Sequence, residues 1–322
     1  MSAATTSSPA FEAASDLDEL HRMLDLVGMK NGWSKPTPSI YPEPREKFVA
    51  AHWRYVDARS ALHAAGRLVS PEWAERRNLI MANPMEGNDY PTVASLVGAY
   101  QMVKPSEDAR SHRHTPNAMR IVLEASQGAY TIVDGKRIPM LPGDVLLTPN
   151  WSFHGHCNES GEEAYWIDIL DAPLVHALGP MFFQVHPQGV EPATEIATQS
   201  PFRFAYRDYK MSLLSAPEIH PNVRCLPLGP GSIPTFDRVA IHLSSGARWR
   251  RTRTTVNRIY AVVEGKGAVC GADFEFQWER GDMFAVPGWM DSVLEAAGES
   301  TLIQVSDEPL LRMLSWSREE TD

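Results

Sequence analysis

The chain has little of what several function classes require. Only three of its 322 residues are cysteine (Cys157, Cys225 and Cys270), and none forms a CxxC pair. A disulfide scaffold is therefore not expected, and a reducing cytoplasm is the expected compartment. No apolar run approaches the roughly 18–20 residues that cross a bilayer. The opening MSAATTSSPAFEAASDLDEL also lacks the basic and apolar regions of a secretory leader. Positive charge is scarce: 30 Lys and Arg against 40 Asp and Glu give a net charge of −10, with no basic run. Phosphate backbones are held by clustered cations, so neither nucleic acid nor membrane is an expected partner. No Ser/His/Asp nucleophile arrangement and no phosphate loop is apparent.

What is present is punctuation. With 25 Pro and 21 Gly, the composition suits many turns and short strands more than long helices. Near the start, Leu17, Leu20, Met23, Leu24 and Val27 recur at helical spacing and predict a helix over Asp16–Val27. Trp33–Arg45 is Pro-rich and predicts an extended, irregular arm. Ser70-Pro71-Glu72 has the form of a helix start, and "PEWAERR" would place Arg76 on that helix. From about Thr92 short apolar strands take over: Ile121–Glu124, Ala129–Val133, Val145–Thr148 and Ala164–Ile169. Asp134-Gly135 is a hairpin turn and Pro142-Gly143-Asp144 a second turn.

The pattern then recurs. RIVLEASQGAYTI (120–132) is matched by YAVVEGKGAVC (260–270), and PGDVLLTPNWSFH (142–154) by RGDMFAVPGWMDS (280–292). Pro149 and Trp151 follow the first Gly-Asp as Pro287 and Trp289 follow the second, which implies an internal duplication of about 140 residues. The expected division is an arm with helices over 1–91, a first β-domain over 92–190, a connection over 191–235 and a second β-domain over 236–322.

Four of the eleven histidines are not scattered. His112-Arg113-His114 and His154-Gly155-His156 are two HxH units forty residues apart. On a strand, residues i and i+2 share a side, so each unit can present two imidazoles to one cavity. Imidazole suits Fe, Zn, Cu and Ni. In the second copy His154 aligns with Ser292 and His156 with Leu294, and Trp249–Val256 contains no histidine. A metal is therefore expected in the first domain alone.

These segments resemble the two cupin motifs. Gly143, Pro149, His154 and Asn158 fit the second motif. In the first, the usual glutamate position holds Ala118, which points to a three-histidine subgroup. The longer string from His112 to Val175, with AERRNLIMANP (74–84) upstream and VSDEPLL near the end, resembles the gentisate 1,2-dioxygenase family. That family includes enzymes for salicylate, substituted salicylates and 1-hydroxy-2-naphthoate. The resemblance implies an all-β-dominated bicupin, two jelly-roll barrels with an N-terminal helical arm. It implies one Fe(II) per subunit in the first cupin, held by His112, His114 and His154, and a degenerate, metal-free second cupin. The partners it implies are an aromatic 2-hydroxy acid and O2, in a homotetramer.

The implied reaction opens the ring between its carboxyl- and hydroxyl-bearing carbons. Arg120 is implied at the substrate carboxylate, for which a planar two-donor fork is suited. His156 is implied as an acid/base or hydrogen-bonding partner at the substrate, and Gln101, Arg76 and Asp168 as further substrate-side residues. Cys157, beside His156, reads as structural, and Trp166 as core. SLVGAYQMV (95–103) matches the gentisate enzymes only loosely. A relative specialised for salicylate, a 5-substituted (for example nitro) salicylate or 1-hydroxy-2-naphthoate is therefore an alternative. A non-dioxygenase cupin, or one that only binds a small molecule, is another.

Overall fold

A computed structural model describes residues 10–44, 47–70, 76–193, 195–229 and 233–320. They fall into two compact units, residues 10–44 and the rest. In the small unit the expected helix forms over Leu17–Leu26. Asp16 caps it by accepting the Glu19 N–H at 2.8 Å, and the Glu19 carboxylate reaches back to the Ser15 N–H and hydroxyl at 2.8 and 2.6 Å. Beyond residue 28 the described part of this unit has neither helix nor strand, as its prolines predict.

The large unit is built from four sheets. In its first half, one six-stranded sheet runs in the order 203–204, 145–148, 118–124, 164–170, 97–103, 77–80. The second runs 183–185, 108–114, 154–158, 129–133, 136–139, 195–196. Val122, Leu146 and Trp166 from one sheet pack with Ala129, Val133 and Ile138 from the other. The second half repeats this with a seven-stranded sheet (51–53, 283–286, 258–264, 300–306, 237–243, 223–227, 218–220) and a four-stranded one (248–251, 292–296, 266–270, 275–279). The seven-stranded sheet and the first six-stranded sheet share a core of Tyr100, Ile121, Ile167, Ile259, Ala261 and Ile303. This is why Val97–Val103 and Ser300–Ser306 are buried at every position and read as continuous strands instead of alternating ones.

The duplication goes deeper than the matched strings. Strand Ala51–Trp53 and helix Tyr55–Leu68 relate to the second half as strand Arg203–Phe204 and helix Tyr206–Ser215 relate to the first. Asp282 accepts the Tyr55 N–H and Asp144 the Tyr206 N–H, each at 2.8 Å. The preceding glycines have φ near +90°, and a Cβ on Gly281 or Gly143 would strike the Tyr55 or Tyr206 ring at 2.4 or 2.6 Å. The Asn117 side-chain amide donates to Asp171 at 2.8 Å, and that of Asn257 to Asp307 at 2.7 Å. Trp151 and Trp289 both sit in the left-handed region, at φ 63° and 60°.

Two stretches differ in local structure from the sequence reading. The stretch over 191–235, expected as a connection, carries regular elements. It contributes helix Tyr206–Ser215 and strands to three of the four sheets. Pro201, Pro217 and Pro221 only punctuate these short elements, and long-range pairing decides their form. The helix expected from Ser70 falls largely on residues 71–75, outside the described residues. Arg76 lies in a bend and Arg77 opens strand Arg77–Ile80. There Arg77 pairs with Met102, and its buried guanidinium donates to the Val69 carbonyl at 2.7 Å and to Glu107, contacts a continuing helix would forgo.

Candidate metal centre

The two HxH units meet on adjacent antiparallel strands, with His112 directly opposite His154. A β-bulge makes this possible. Ala109 pairs with His156 and His112 with His154, so Asp108–His114 carries one extra residue between the two pairs. Without it, Ala109, Ser111 and Arg113 would share the inward face. With it, the inward face continues as His112 and His114. Arg113 points away, with its guanidinium 4.6 and 4.5 Å from the rings of Trp151 and Phe153.

Gly155 makes room for the bulge. A Cβ there would lie 2.4 Å from Ser111 Oγ and 3.1 Å from the Ala109 carbonyl oxygen. Ser111 Oγ is itself held by the Glu191 N–H at 2.8 Å. Gly155→Ala is therefore expected to displace the bulge and to weaken metal retention at least tenfold while most of the fold persists. Metal titration alongside far-UV circular dichroism checks this.

His112, His114 and His154 bring one ring nitrogen each to within 4.8 Å of one another. Their ring centroids are 4.6–5.5 Å apart. In each, Nδ1 donates to a backbone carbonyl two residues away: Arg110 at 3.2 Å, Pro116 at 2.8 Å and Ser152 at 3.0 Å. The proton is thus held on Nδ1, and Nε2 is left as a lone-pair donor. Burial keeps the rings neutral. It lowers His112 to about 4, with the Arg76 charge adding to the effect. It lowers His114 and takes His154 well below the usual imidazole range, the neighbouring histidines reinforcing the shift in His154. Three neutral imidazole donors converging on one point are a fitting cage for a divalent transition metal.

The pKa depressions also fix a pH dependence. The unfolded chain takes up protons on these histidines near pH 6.5, where the folded metal-free chain does not. Stability is therefore expected to fall as pH drops from about 6.5 towards 4. Thermal melts of the metal-free protein should show this, with a shallower dependence in His112→Ala.

Behind the triad lies a buried polar cluster. Arg120, 5% exposed, donates from Nε and Nη2 to the two carboxylate oxygens of Asp168, each at 2.8 Å. Its Nη1 donates to Thr131 Oγ1 at 2.8 Å and faces His156 Nδ1 at 2.7 Å, while Nη2 faces His156 Nε2 at 3.1 Å. Arginine only donates, so a guanidinium set against both ring nitrogens holds the ring in place without selecting one tautomer. Burial, then the charge of Arg120, holds His156 well below its ordinary pKa. The guanidinium also lies 4.1 Å from the centroid of the Trp166 ring. Gln101 is buried and accepts from Arg76 Nε at 2.6 Å. All the singled-out residues thus converge here. The fork of Arg120 is turned to Asp168, and Arg76 is the arginine that lines the open cavity.

That cavity, about 410 Å³, is lined by Arg76, His112 and His114, with Tyr90, Met181 and Phe183 among the walls. Tyr90 stacks on His176, with ring centroids 5.5 Å apart. Sequence reasoning missed Tyr90, His176 and Asn78: Asn78 lies within the matched string AERRNLIMANP but was not singled out, and Tyr90 and His176 fall outside the matched strings. Cys157 faces away from the cavity and packs with Tyr130 and Ile132. Burial pushes its thiol up to about 12, so it offers no thiolate.

Residues 99–170 match the cupin domain family. The chain is 30% identical to a 5-aminosalicylate 1,2-dioxygenase from Comamonas sp., over 95% of this chain and 90% of the relative. It is 31% identical to a gentisate 1,2-dioxygenase from Streptomyces sp., over 94% of each. The solved salicylate 1,2-dioxygenase from Pseudaminobacter salicylatoxidans superposes with a TM-score of 0.86 at 26% identity, covering 95% of this chain and 97% of that one.

Proposed function

The chain belongs to the gentisate 1,2-dioxygenase family of ring-cleaving cupin enzymes, and from that premise we propose that it opens the ring of a gentisate-type 2-hydroxybenzoate between the carboxyl- and hydroxyl-bearing carbons. The observation that carries this reading is a cluster of three neutral imidazoles, two of which, His112 and His114, line a cavity that also holds an arginine. Fe(II), one per chain and held by Nε2 of His112, His114 and His154, would supply coordination positions for the chelating acid and for O2, and an electron path between them.

The chain's own residues then have separable tasks. Arg76 takes the substrate carboxylate. Gln101, bonded to Arg76, fixes the direction from which that guanidinium approaches. His156, held against the guanidinium of Arg120, serves as a hydrogen-bonding partner beside the reacting acid. Arg120, oriented by Asp168, holds the His156 ring in place and adds positive charge beside the carboxylate. Met181, Phe183, Leu170 and Pro116 line the cavity with apolar surface, which limits water around the ring.

This assignment places the iron in the 92–190 segment and gives the 236–322 segment no metal. The likeness to a 5-aminosalicylate enzyme favours a second reading, in which a 5-substituted salicylate is the preferred acid. Placement in the cytoplasm as a homotetramer completes the proposal. Among the described residues no helix is long and apolar enough to cross a membrane. Sedimentation should give a mass four times the 35.9 kDa of one chain.

The test is O2 uptake by protein loaded anaerobically with Fe(II), with gentisate, salicylate, 5-amino- and 5-nitrosalicylate and 1-hydroxy-2-naphthoate offered in parallel. Uptake with a new near-ultraviolet product band is expected with gentisate or a 5-substituted salicylate. No uptake with any of them, iron being verified as bound, would favour a different cupin reaction.

A further inference from the structure

The second half has no histidine cage, but the same place in it is not inert. Arg251 stands opposite Ser292 in the register that sets His112 opposite His154. Strand Arg248–Arg251 runs without the bulge, so Arg251 follows Trp249 on the inward face. Thr254 occupies the place of His114: its carbonyl accepts the Trp289 N–H at 2.6 Å, as that of His114 accepts the Trp151 N–H at 3.0 Å. The guanidinium of Arg258, a residue 6% exposed, reaches this point, with Nη2 donating to Thr254 Oγ1 at 2.9 Å. Two arginines thus stand where the first half has metal ligands.

Neither has a carboxylate partner among the described residues. Arg251 lies 4.1 Å from the centroid of the Trp249 ring. Arg258 bonds only oxygen atoms of Thr254 and Val256, the latter at 3.4 Å, and its buried Nε bonds nothing. The carboxylates whose charge reaches Arg258, Glu308 and Asp307, are bonded by other residues. Asp307 is bonded by Ser95 and Asn257, and Glu308 by Arg312. Three further polar atoms on this inner face lack partners: the hydroxyl of Tyr260, 0% exposed, Oε1 of Gln304, its register partner, 5% exposed, and Nε1 of Trp278, 2% exposed. A buried charge without a counter-charge is costly, and unpartnered buried polar atoms around it compound that cost.

We propose that the inner mouth of the second half binds a small carboxylate of about formate to acetate size between Arg251 and Arg258, with the hydroxyls of Tyr260 and Ser292 as further donors. The Nε–Nη2 edge of Arg258 is the fork that matches two carboxylate oxygens. The surrounding side chains, Tyr260, Trp278, Phe284 and Leu294, are all at most 2% exposed and limit the ligand to a small one. This site is independent of the ring-cleaving reading and would survive its failure.

The test compares the full-length iron-loaded protein with Arg258→Met and Arg258→Lys, in sodium acetate and in sodium chloride at equal ionic strength. At an acetate concentration ten times its Kd, the wild-type Tm should rise by about 2–4 °C over chloride. The rise should vanish in Arg258→Met and persist, reduced, in Arg258→Lys, which keeps the charge but loses the fork. Arg258→Met should cleave substrate at the wild-type rate and melt no lower than wild type in chloride, because an unpaired buried cation has been replaced by an apolar chain. Crystals soaked in sodium bromide should show an anomalous peak between the two arginines that Arg258→Met abolishes. An equal acetate shift in wild type and Arg258→Met, or a bromide peak in both, would mean an adventitious ion only and would overturn the proposal. So would the absence of both signals in wild type.

Discussion

His154→Ala is expected to leave less than about a tenth of the wild-type iron content and to abolish O2 uptake with every aromatic acid. Removing a group that merely orients a ligand typically lowers metal affinity by about 10–100-fold, and His154 is proposed as a ligand itself. It is 3% exposed and stands opposite His112, and its proton is fixed on Nδ1 by the Ser152 carbonyl. Alanine leaves two donors, and no other His, Cys, Asp or Glu among the described residues joins them in a ligand group. The fold should persist, because the main-chain pairing of His154–Asn158 to both neighbouring strands does not use the imidazole. Iron analysis beside near-UV circular dichroism decides the matter. Full iron stoichiometry in a folded His154→Ala protein would remove this residue from the ligand set.

Much of this site was legible in the sequence because strand geometry is simple. Period two predicts that both members of an HxH unit face one way, and the Gly-Asp turn between the units predicts that they can meet. The bulge at Arg110–Ser111 was not legible. It is a one-residue change of parity set by the neighbouring strand, and only the glycine between His154 and His156 hints at it. The repeated strings showed the duplication, but not its deeper matches. The Tyr55–Asp282 and Tyr206–Asp144 bonds span 227 and 62 residues, and no local pattern marks them. Helix Tyr206–Ser215 was hidden for a related reason. It is short, its neighbours are Pro-rich, and what stabilises it is the burial of Tyr209 and Leu213 against sheets distant in sequence. Arg120 was singled out in the sequence, but the direction of its fork was not legible, because that depends on Asp168, a partner 48 residues away.

That direction leads to the second large effect. Arg120→Gln is expected to lower kcat/KM by roughly 30- to 5,000-fold, the range for losing one member of a buried charge-assisted pair, about 2–5 kcal/mol. Iron stoichiometry should stay near the wild-type value, because none of the three metal-ligand candidates bonds Arg120. Two losses are combined in this variant. His156 loses the guanidinium that holds its ring in place, and Asp168 becomes a buried carboxylate without its cation. The second loss alone destabilises the fold by about 3–5 kcal/mol, so a fall in Tm is expected and does not by itself speak to catalysis. The double variant Arg120→Gln/Asp168→Asn separates the two. Replacing the carboxylate with a neutral amide removes the stranded charge, so stability should recover in large part. Activity should not recover, because neither amide restores a cation beside His156 and the substrate carboxylate. If kcat/KM returns with Tm, Arg120 serves only to neutralise Asp168 and has no part in the reaction. If Tm returns and kcat/KM stays low, the guanidinium acts on the reacting acid through its charge and through the position of His156.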